Sequence, residues 1–397
     1  AAPRCCFAAR PDELAPGPLG VPANVSFDMS DETFPQGHLD YNRADDRPLL
    51  IIYTSGTTGA PKGAVITAAG VAANLDALAA VWGWTAEDTV VHALPLFHVH
   101  GLVLGLFGSL RVGGCMRWLP RFDPVEVAAA LDARSVLFAV PTMYVRLADA
   151  AERDPAVAAG LGAARLLISG SAPLAAREHR RIAAATGRGV YERYGLTETL
   201  IVCAVPARGP ARPGFVGPPL PGVEVVLVDD ERGPLPEGDP RIGEVAVRGP
   251  SVFAGYLGRP DATAAVLDPS GWFYTGDLAV RAPDGALQIV GRRATDLIKS
   301  GGFKIGAGEI EACLLEHPGV LEVAVVGVPD DDLGERIVAF VVPADPARPP
   351  APAGLIDHVA ATLAPHKRPR EVRFLDALPR NAMGKVLKPA LVADAPR

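Results

Sequence analysis

Between Leu49 and Leu196 the chain alternates between short β-rich apolar runs and longer stretches with helical spacing of apolar residues, and this alternation restricts the fold more than any other feature. "LLIIY" precedes "TAAGVAANLDALAAVWGW", and "DTVVHALPL" precedes "GLVLGLFGSLRVGG", a buried helix ending at paired glycines. "PVEVAAALDA", "SVLFAV", "PTMYVRLADAA", "ARLLISG", "REHRRIAAATG" and "GVYERYG" continue the pattern as helix, strand, helix, strand, helix and strand. Runs in this order predict a layered α/β domain around a mainly parallel sheet. With 397 residues, 49% of them apolar, the chain can bury a large core and has room for a second domain.

After Pro213 the texture changes. "VEVVLVDD", "GEVAVRG" and "ALQIVG" are short strands divided by Gly, Pro and Asp, which predicts a small β-subdomain. A further compact α+β unit begins near Asp296 with "EIEACLLEH", "VLEVAVVGVPD", "RIVAFVVP" and "LIDHVAATLAPH". We therefore expect a large domain over 1–291, made of an α/β core (53–212) and a β-subdomain (213–291). A smaller mobile α+β domain is expected over 292–397, with "GRRATD" as the joint. Residues 1–46 lack a clear period and read as loop. The Pro/Ala-rich "PADPARPPAPAG" reads as a surface loop.

A formal net charge of −7 argues against a nucleic-acid partner, which would demand many phosphate-neutralising cations. Five cysteines, at positions 5, 6, 115, 203 and 313, show neither metal spacing nor a framework of pairs, so we expect a reduced, cytoplasmic protein. The apolar stretch around Gly101 to Leu110 is too short to span a bilayer, and "AAPRCCFAAR" makes a poor signal peptide. No membrane partner is expected.

The glycine loop after the first strand, "YTSGTTGAPKGAV" (53–65), suits an anion. Its lysine is notable because only six of the 38 basic residues are Lys, at 62, 299, 304, 367, 385 and 388; the rest are Arg. Where a chain so biased keeps Lys, a compact point charge is called for instead of a fork. The Walker pattern does not fit: Gly56, Gly59 and Lys62 are three apart, Pro61 precedes the lysine, and Gly63 stands where Ser or Thr is needed. Pro61 offers no N–H to a phosphate. Hydroxyls and amides from Thr54, Ser55, Gly56, Thr57, Thr58 and Gly59, with Lys62, remain to wrap a polyphosphate.

With "YERYGLTET" (191–199), "GWFYTGDLA" (271–279), "GRRATDLIKSGG" (291–302) and "PRNAMGK" (379–385), this loop resembles the acyl-adenylate-forming (ANL) superfamily, five motifs in register over 53–388. "PLFHVHGL", "LISGSAPL" and "ATDLIKSGGFKIGAGEIE" are most similar to malonyl-CoA synthetases. The resemblance implies ATP, Mg²⁺ and coenzyme A as cofactor and co-substrates, with malonate joined to CoA through a malonyl-adenylate. It makes Glu198 the Mg²⁺ carboxylate, Thr197 a hydrogen-bonding partner of the α-phosphate, and Tyr194 the adenine-stacking ring. Asp277 would accept the ribose hydroxyls and Arg292 would contact the ribose. "GRRATD" carries one residue more than many relatives, so Arg293 competes for that place. Gly170, Ser171, Ala172, Glu192 and Gly195 would also surround the nucleotide. Lys385 would be the catalytic cation, because negative charge gathers on the attacking and bridging oxygens as pyrophosphate departs. Lys299, Ser300, Gly301 and Gly302 would face CoA after the smaller domain swings.

Residue chemistry bears on the acid as well. A fatty-acid pocket should be apolar, yet Arg193 lies beside Tyr194. A buried Arg without a carboxylate partner is costly. Glu192 could be its partner, although adjacent strand residues face opposite ways. The reading taken is that Arg193 receives the second carboxylate of a short dicarboxylate, helped by His98 or His100 and by Ser169. Methylmalonate, an aromatic acid, a carrier-protein acceptor, and a shortened nucleotide-binding protein with little turnover remain open. Family members usually carry roughly a hundred further residues before the phosphate loop, a length suited to part of a large α/β domain.

Overall fold

The computed structural model describes residues 7–8, 47–54, 61–380 and 386–393. The phosphate-loop residues Ser55, Gly56, Thr57, Thr58 and Gly59, and the catalytic candidate Lys385, lie outside the described residues.

The expected parallel sheet is present, with strands in the order Phe7–Ala8, Cys115–Trp118, Thr89–His92, Ser135–Ala139, Leu166–Ser169, Val190–Leu196, Leu200–Ala204. All neighbours are parallel except the last two, which form an antiparallel hairpin. Ser135–Ala139 and Leu166–Ser169 are buried along their whole length, as strands covered on both faces must be. The helix Ala68–Trp82 is capped by the Thr67 side chain at its start and by left-handed Gly83 at its end. Its buried Asn74 exchanges two hydrogen bonds with the backbone of Ile201, at 2.7 and 3.2 Å, fixing the helix to the hairpin.

Two local features depart from the sequence reading. The run after His98 does not start as an α-helix. His100–Phe107 is π-helical, and an α-turn, Gly108–Val112, follows it. Its glycines allow a very close approach: a Cβ on Gly101 would lie 2.1 Å from the Pro95 carbonyl oxygen, and one on Gly105 only 2.4 Å from His92. The helix Pro155–Ala163 was not foreseen, because its residues are small and nearly uniform in polarity.

A four-stranded antiparallel sheet, Glu224–Val228, Gly243–Arg248, Phe273–Arg281 and Leu287–Arg292, is the expected β-subdomain. Its apolar face packs with Tyr194, Val202 and Cys203 against the end of the large sheet. A small sheet joins Gly255–Tyr256, Lys62–Thr67 and Pro48–Thr54. The smaller α+β domain has a sheet of Phe303–Gly306, Leu297–Ser300, Gly334–Pro343 and Val320–Asp330, with Glu371–Phe374 beside Gly334–Pro343. Helices Ala307–Leu315 and Pro352–Thr362 share one apolar cluster with it, and Leu391 of the last helix belongs to another.

Several charged side chains meet across the joint. Lys304 meets Asp230 at 2.5 Å, and Arg293 reaches Asp230 at 2.5 Å and Glu244 at 2.6 Å. Farther along, Glu316 accepts from the Arg177 backbone N–H at 2.9 Å and pairs with Arg180. No described helix is long and apolar enough to cross a membrane.

Candidate active site

The candidate residues converge where open α/β sheets usually bind ligands, beyond the carboxyl ends of the parallel strands. His92 ends one strand, Ser169 ends another, and Arg193 to Leu196 end a third. Thr197 and Glu198 fill the turn to Leu200–Ala204, and Leu200 adopts a φ of 54° to close it.

Arg193 is 6% exposed, and its Nε has no hydrogen-bond partner among the described residues. Burial pulls its pKa down to about 10. Glu192 is not its counter-ion. That carboxylate accepts from His179 Nε2 at 3.0 Å, from the Gly214 N–H at 2.9 Å and from the Leu174 N–H at 3.3 Å. Adjacent strand residues point to opposite faces, as the alternation required. The Glu192 network braces the strand from behind, and these contacts engage both of its carboxylate oxygens.

Around Arg193 the structure gathers further unsatisfied polar atoms. A Cβ on Gly170 would lie 2.3 Å from the Arg193 Cζ, so only glycine leaves room for the guanidinium. His100 is buried, its Nδ1 lies 3.3 Å from the Ser171 hydroxyl, and its Nε2 has no hydrogen-bond partner among the described residues. Burial first, and then the charge of Arg193, hold its pKa well below the ordinary histidine value, so it is neutral near pH 7. The Ser169 hydroxyl is fully buried and has no hydrogen-bond partner among the described residues. Ser171 takes a φ of 73°, a strained backbone for a non-glycine residue. Of the two histidines weighed, His100 enters this cluster, whereas His98 is half-buried against Phe97. His92, which the sequence reading passed over, lies under the π-helical segment with neither ring nitrogen hydrogen-bonded among the described residues.

Among the residues expected to hold a nucleotide, Tyr194 donates to Asp277 Oδ2 at 2.8 Å, and Arg292 Nε lies 2.9 Å from Asp277 Oδ1. Arg292 is therefore the arginine brought to Asp277, while Arg293 is held by Asp230 and Glu244. The Thr54 hydroxyl donates to the Lys62 carbonyl at 3.3 Å. Glu198, 8% exposed, accepts from the Tyr256 hydroxyl at 2.8 Å, and Lys62 Nζ sits 4.4 Å from the centre of the same ring. Tyr256 was not anticipated: it is 58 positions from Glu198, and no local pattern marks it. Lys299 and Ser300 pair with Lys304 and Phe303, so Gly301 and Gly302, at φ of 56° and 80°, form a two-residue hairpin turn. The contacts of this turn lie within the smaller domain, with Gly301 N–H donating to Leu333 and Lys299 N–H to Glu335.

Among the described residues no group of three or more His, Cys, Asp or Glu side chains could hold a metal ion. A lone buried carboxylate with one oxygen engaged by a phenol fits a cation held mainly by substrate phosphates, as Mg²⁺ often is.

The family model of AMP-binding enzymes matches residues 17–257, and that of the AMP-binding enzyme C-terminal domain matches 309–385. The mitochondrial malonate–CoA ligase of Mus musculus is 39% identical over 377 residues, covering 87% of this chain and 64% of its own length. A solved malonyl-CoA ligase, in a ternary product complex with methylmalonyl-CoA and AMP bound, is 61% identical, with a TM-score of 0.61, over 85% of this chain and 72% of that one. The ATP-bound MatB structure from Rhodopseudomonas palustris is 41% identical, with a TM-score of 0.79, over 88% and 69%. The chain spans less than two thirds of the length of the curated relatives it matches first. Motifs, fold and these likenesses agree: the chain belongs to the AMP-binding enzymes of the acyl-adenylate-forming superfamily, and within them it is similar to the malonate–CoA ligases.

Proposed function

We propose that the protein is an ATP-dependent, AMP-forming acid–thiol ligase that joins malonate to coenzyme A. The observation that carries the choice of acid is Arg193: a buried guanidinium whose Nε has no partner and which has no carboxylate paired with it among the described residues, with neutral donors from His100 and Ser169 nearby. Such a site lacks one anion, and the distal carboxylate of a short diacid supplies it in the bidentate geometry that Arg favours. A monocarboxylic acid would leave the charge unmet.

In the first half-reaction one malonate oxygen attacks the α-phosphorus of ATP, and the bond to the bridging oxygen breaks to release pyrophosphate. The nucleophile is already ionised at pH 7, so no general base is required. Thr197 would hydrogen-bond the α-phosphate, Asp277 and Arg292 would hold the ribose, and Lys62 and Lys385 would meet the charge on the phosphate oxygens. Glu198 would help to hold Mg²⁺, which, when bound, offsets polyphosphate charge. Domains divided at 291/292 then rotate about "GRRATD", Gly301 and Gly302 let the pantetheine arm approach, and the CoA sulfur attacks the acyl carbonyl. The carbon–oxygen bond to AMP breaks, and the thiol proton passes to solvent. The cytoplasmic location expected from the cysteine pattern stays part of this proposal, and cell fractionation tests it.

The deciding assay is pyrophosphate release across mono- and dicarboxylic acids, with and without CoA. Malonate should be preferred, with malonyl-CoA formed only when CoA is present. Equal rates with butyrate, or none with any acid, would reject the reading.

A further inference from the structure

Tyr256 occupies an unusual place. It lies on the two-residue strand Gly255–Tyr256, which pairs antiparallel with Val65 and Ala64 of the strand that Lys62 opens. Leu257 N–H donates to the Gly63 carbonyl at 2.8 Å, and the Tyr256 N–H donates to Thr263 Oγ1 at 2.9 Å. Gly255 has a φ of 131°, and a Cβ there would lie 3.0 Å from Thr263, so the strand is held closely in position. Three residues before Tyr256, the Phe253 N–H donates to the Glu198 carbonyl at 2.8 Å, and the two rings meet edge to face at 4.8 Å. One segment thus holds the Glu198 backbone and, through the phenol, its carboxylate.

The same ring lies under Lys62 Nζ. Tyr256 therefore touches both charged groups assigned to the phosphates of ATP, yet it would contact neither nucleotide nor acid in doing so. Its hydroxyl engages Glu198 Oε1, and no described residue engages the other oxygen. A carboxylate tied by one oxygen cannot rotate freely, so its second oxygen is presented in one direction. A cation–π contact holds Lys62 in place but weakly, so triphosphate oxygens can take the ammonium over.

We propose that Tyr256 is a positioning residue for the adenylation step: its hydroxyl orients Glu198 toward the divalent cation of metal–ATP, and its ring pre-places Lys62 for the phosphates. This rests on the nucleotide roles given to Glu198 and Lys62 under the proposed function. A merely structural tyrosine would pack equally well as phenylalanine, and the two halves of the proposal separate by substitution.

The test uses the full chain and Mn²⁺ as a paramagnetic probe. Mn²⁺ binding to the protein–ATP complex is followed by electron paramagnetic resonance, beside metal-free ATP binding by calorimetry in chelator. Tyr256→Phe should weaken Mn²⁺ binding about 5- to 10-fold and raise the Mg²⁺ requirement for pyrophosphate release in parallel. Metal-free ATP affinity, the malonate KM and the melting temperature should stay within error. Tyr256→Leu should in addition weaken metal-free ATP binding about threefold. Glu198→Gln combined with Tyr256→Phe should bind Mn²⁺ no more weakly than Glu198→Gln alone. Unchanged Mn²⁺ affinity in Tyr256→Phe, or additive losses in the double variant, would overturn the orienting role. Equal metal-free ATP binding by the Phe and Leu variants would overturn the role of the ring. If Tyr256→Phe melts lower, the double-variant comparison decides, because loss of packing adds to Glu198→Gln whereas loss of orientation does not. The Mn²⁺ readout needs no acid, so a parent that binds Mn²⁺–ATP but releases no pyrophosphate would reject the assigned reaction and leave the positioning role standing.

Discussion

Replacing Arg193 with methionine removes the charge while keeping comparable bulk, and the structure gives the outcome two opposite signs. Burial without a neighbouring protein anion pulls the Arg193 pKa down to about 10, equivalent to about 3 kcal/mol of unmet desolvation. Removing that burden should stabilise the ligand-free enzyme; recovery of even one kcal/mol raises the melting temperature of a domain this size by about 2–4 °C. With malonate bound the sign reverses. The distal carboxylate loses its partner in a water-poor pocket, at a cost of about 3–5 kcal/mol, or roughly two to three and a half decades in kcat/KM. Butyrate never used the guanidinium, so its rate should hold or rise. Calorimetric melts with and without malonate, beside pyrophosphate release with both acids, make the assay. The parent should be stabilised by malonate and the variant should not. A variant that melts lower without ligand and loses both acids in parallel would show that Arg193 supports the fold, and the reasoning would fail.

Gly170→Ala should act on the same group from the other side. A Cβ 2.3 Å from the guanidinium carbon must displace it, so malonate kcat/KM should fall at least about tenfold with the ATP KM unchanged; steady-state titration of each substrate checks this. Lys385→Ala should abolish adenylation while leaving thioester formation from supplied malonyl-adenylate nearly intact, and equal loss of both half-reactions in separate assays would refute its role. His92 predicts a pH effect on stability. Burial lowers its folded-state pKa to about 4, whereas the unfolded chain titrates near the ordinary value of about 6.5. The unfolded state therefore takes up the proton first on acidification, so stability is complete above about 6.5 and declines toward 4, by about 2 kcal/mol at pH 5. Melts at pH 7 and 5 should show that decline in the parent and a flatter response in His92→Leu.

What the sequence revealed depended on how local the cause was. Buried parallel strands such as Ser135–Ala139 were legible because a strand covered on both faces must be apolar throughout. The opposition of Glu192 and Arg193 followed from the two-residue period of a strand. The π-helical turn at His100–Phe107 was not legible, since its apolar residues fit an α-helix equally well and the deciding contacts come from Pro95 and His92. Choosing between Arg292 and Arg293 needed the hairpin register, in which Asp277 pairs with Arg292. Tyr256 needed the whole fold, because both groups it touches lie far away in the chain.

The joint between the domains carries a consequence for the ionic medium. The apolar clusters of the large and small domains remain separate, and the side chains that meet between them include Lys304 with Asp230 and Arg180 with Glu316, all at least partly exposed. Attraction between such exposed charges is strongest within a Debye length of about 8–10 Å at physiological salt, so parting the pairs removes most of it. Added salt, which screens exposed charges, would therefore shift the populations of the two arrangements. The balance between the two arrangements would then be tunable by ionic strength, with no residue changed.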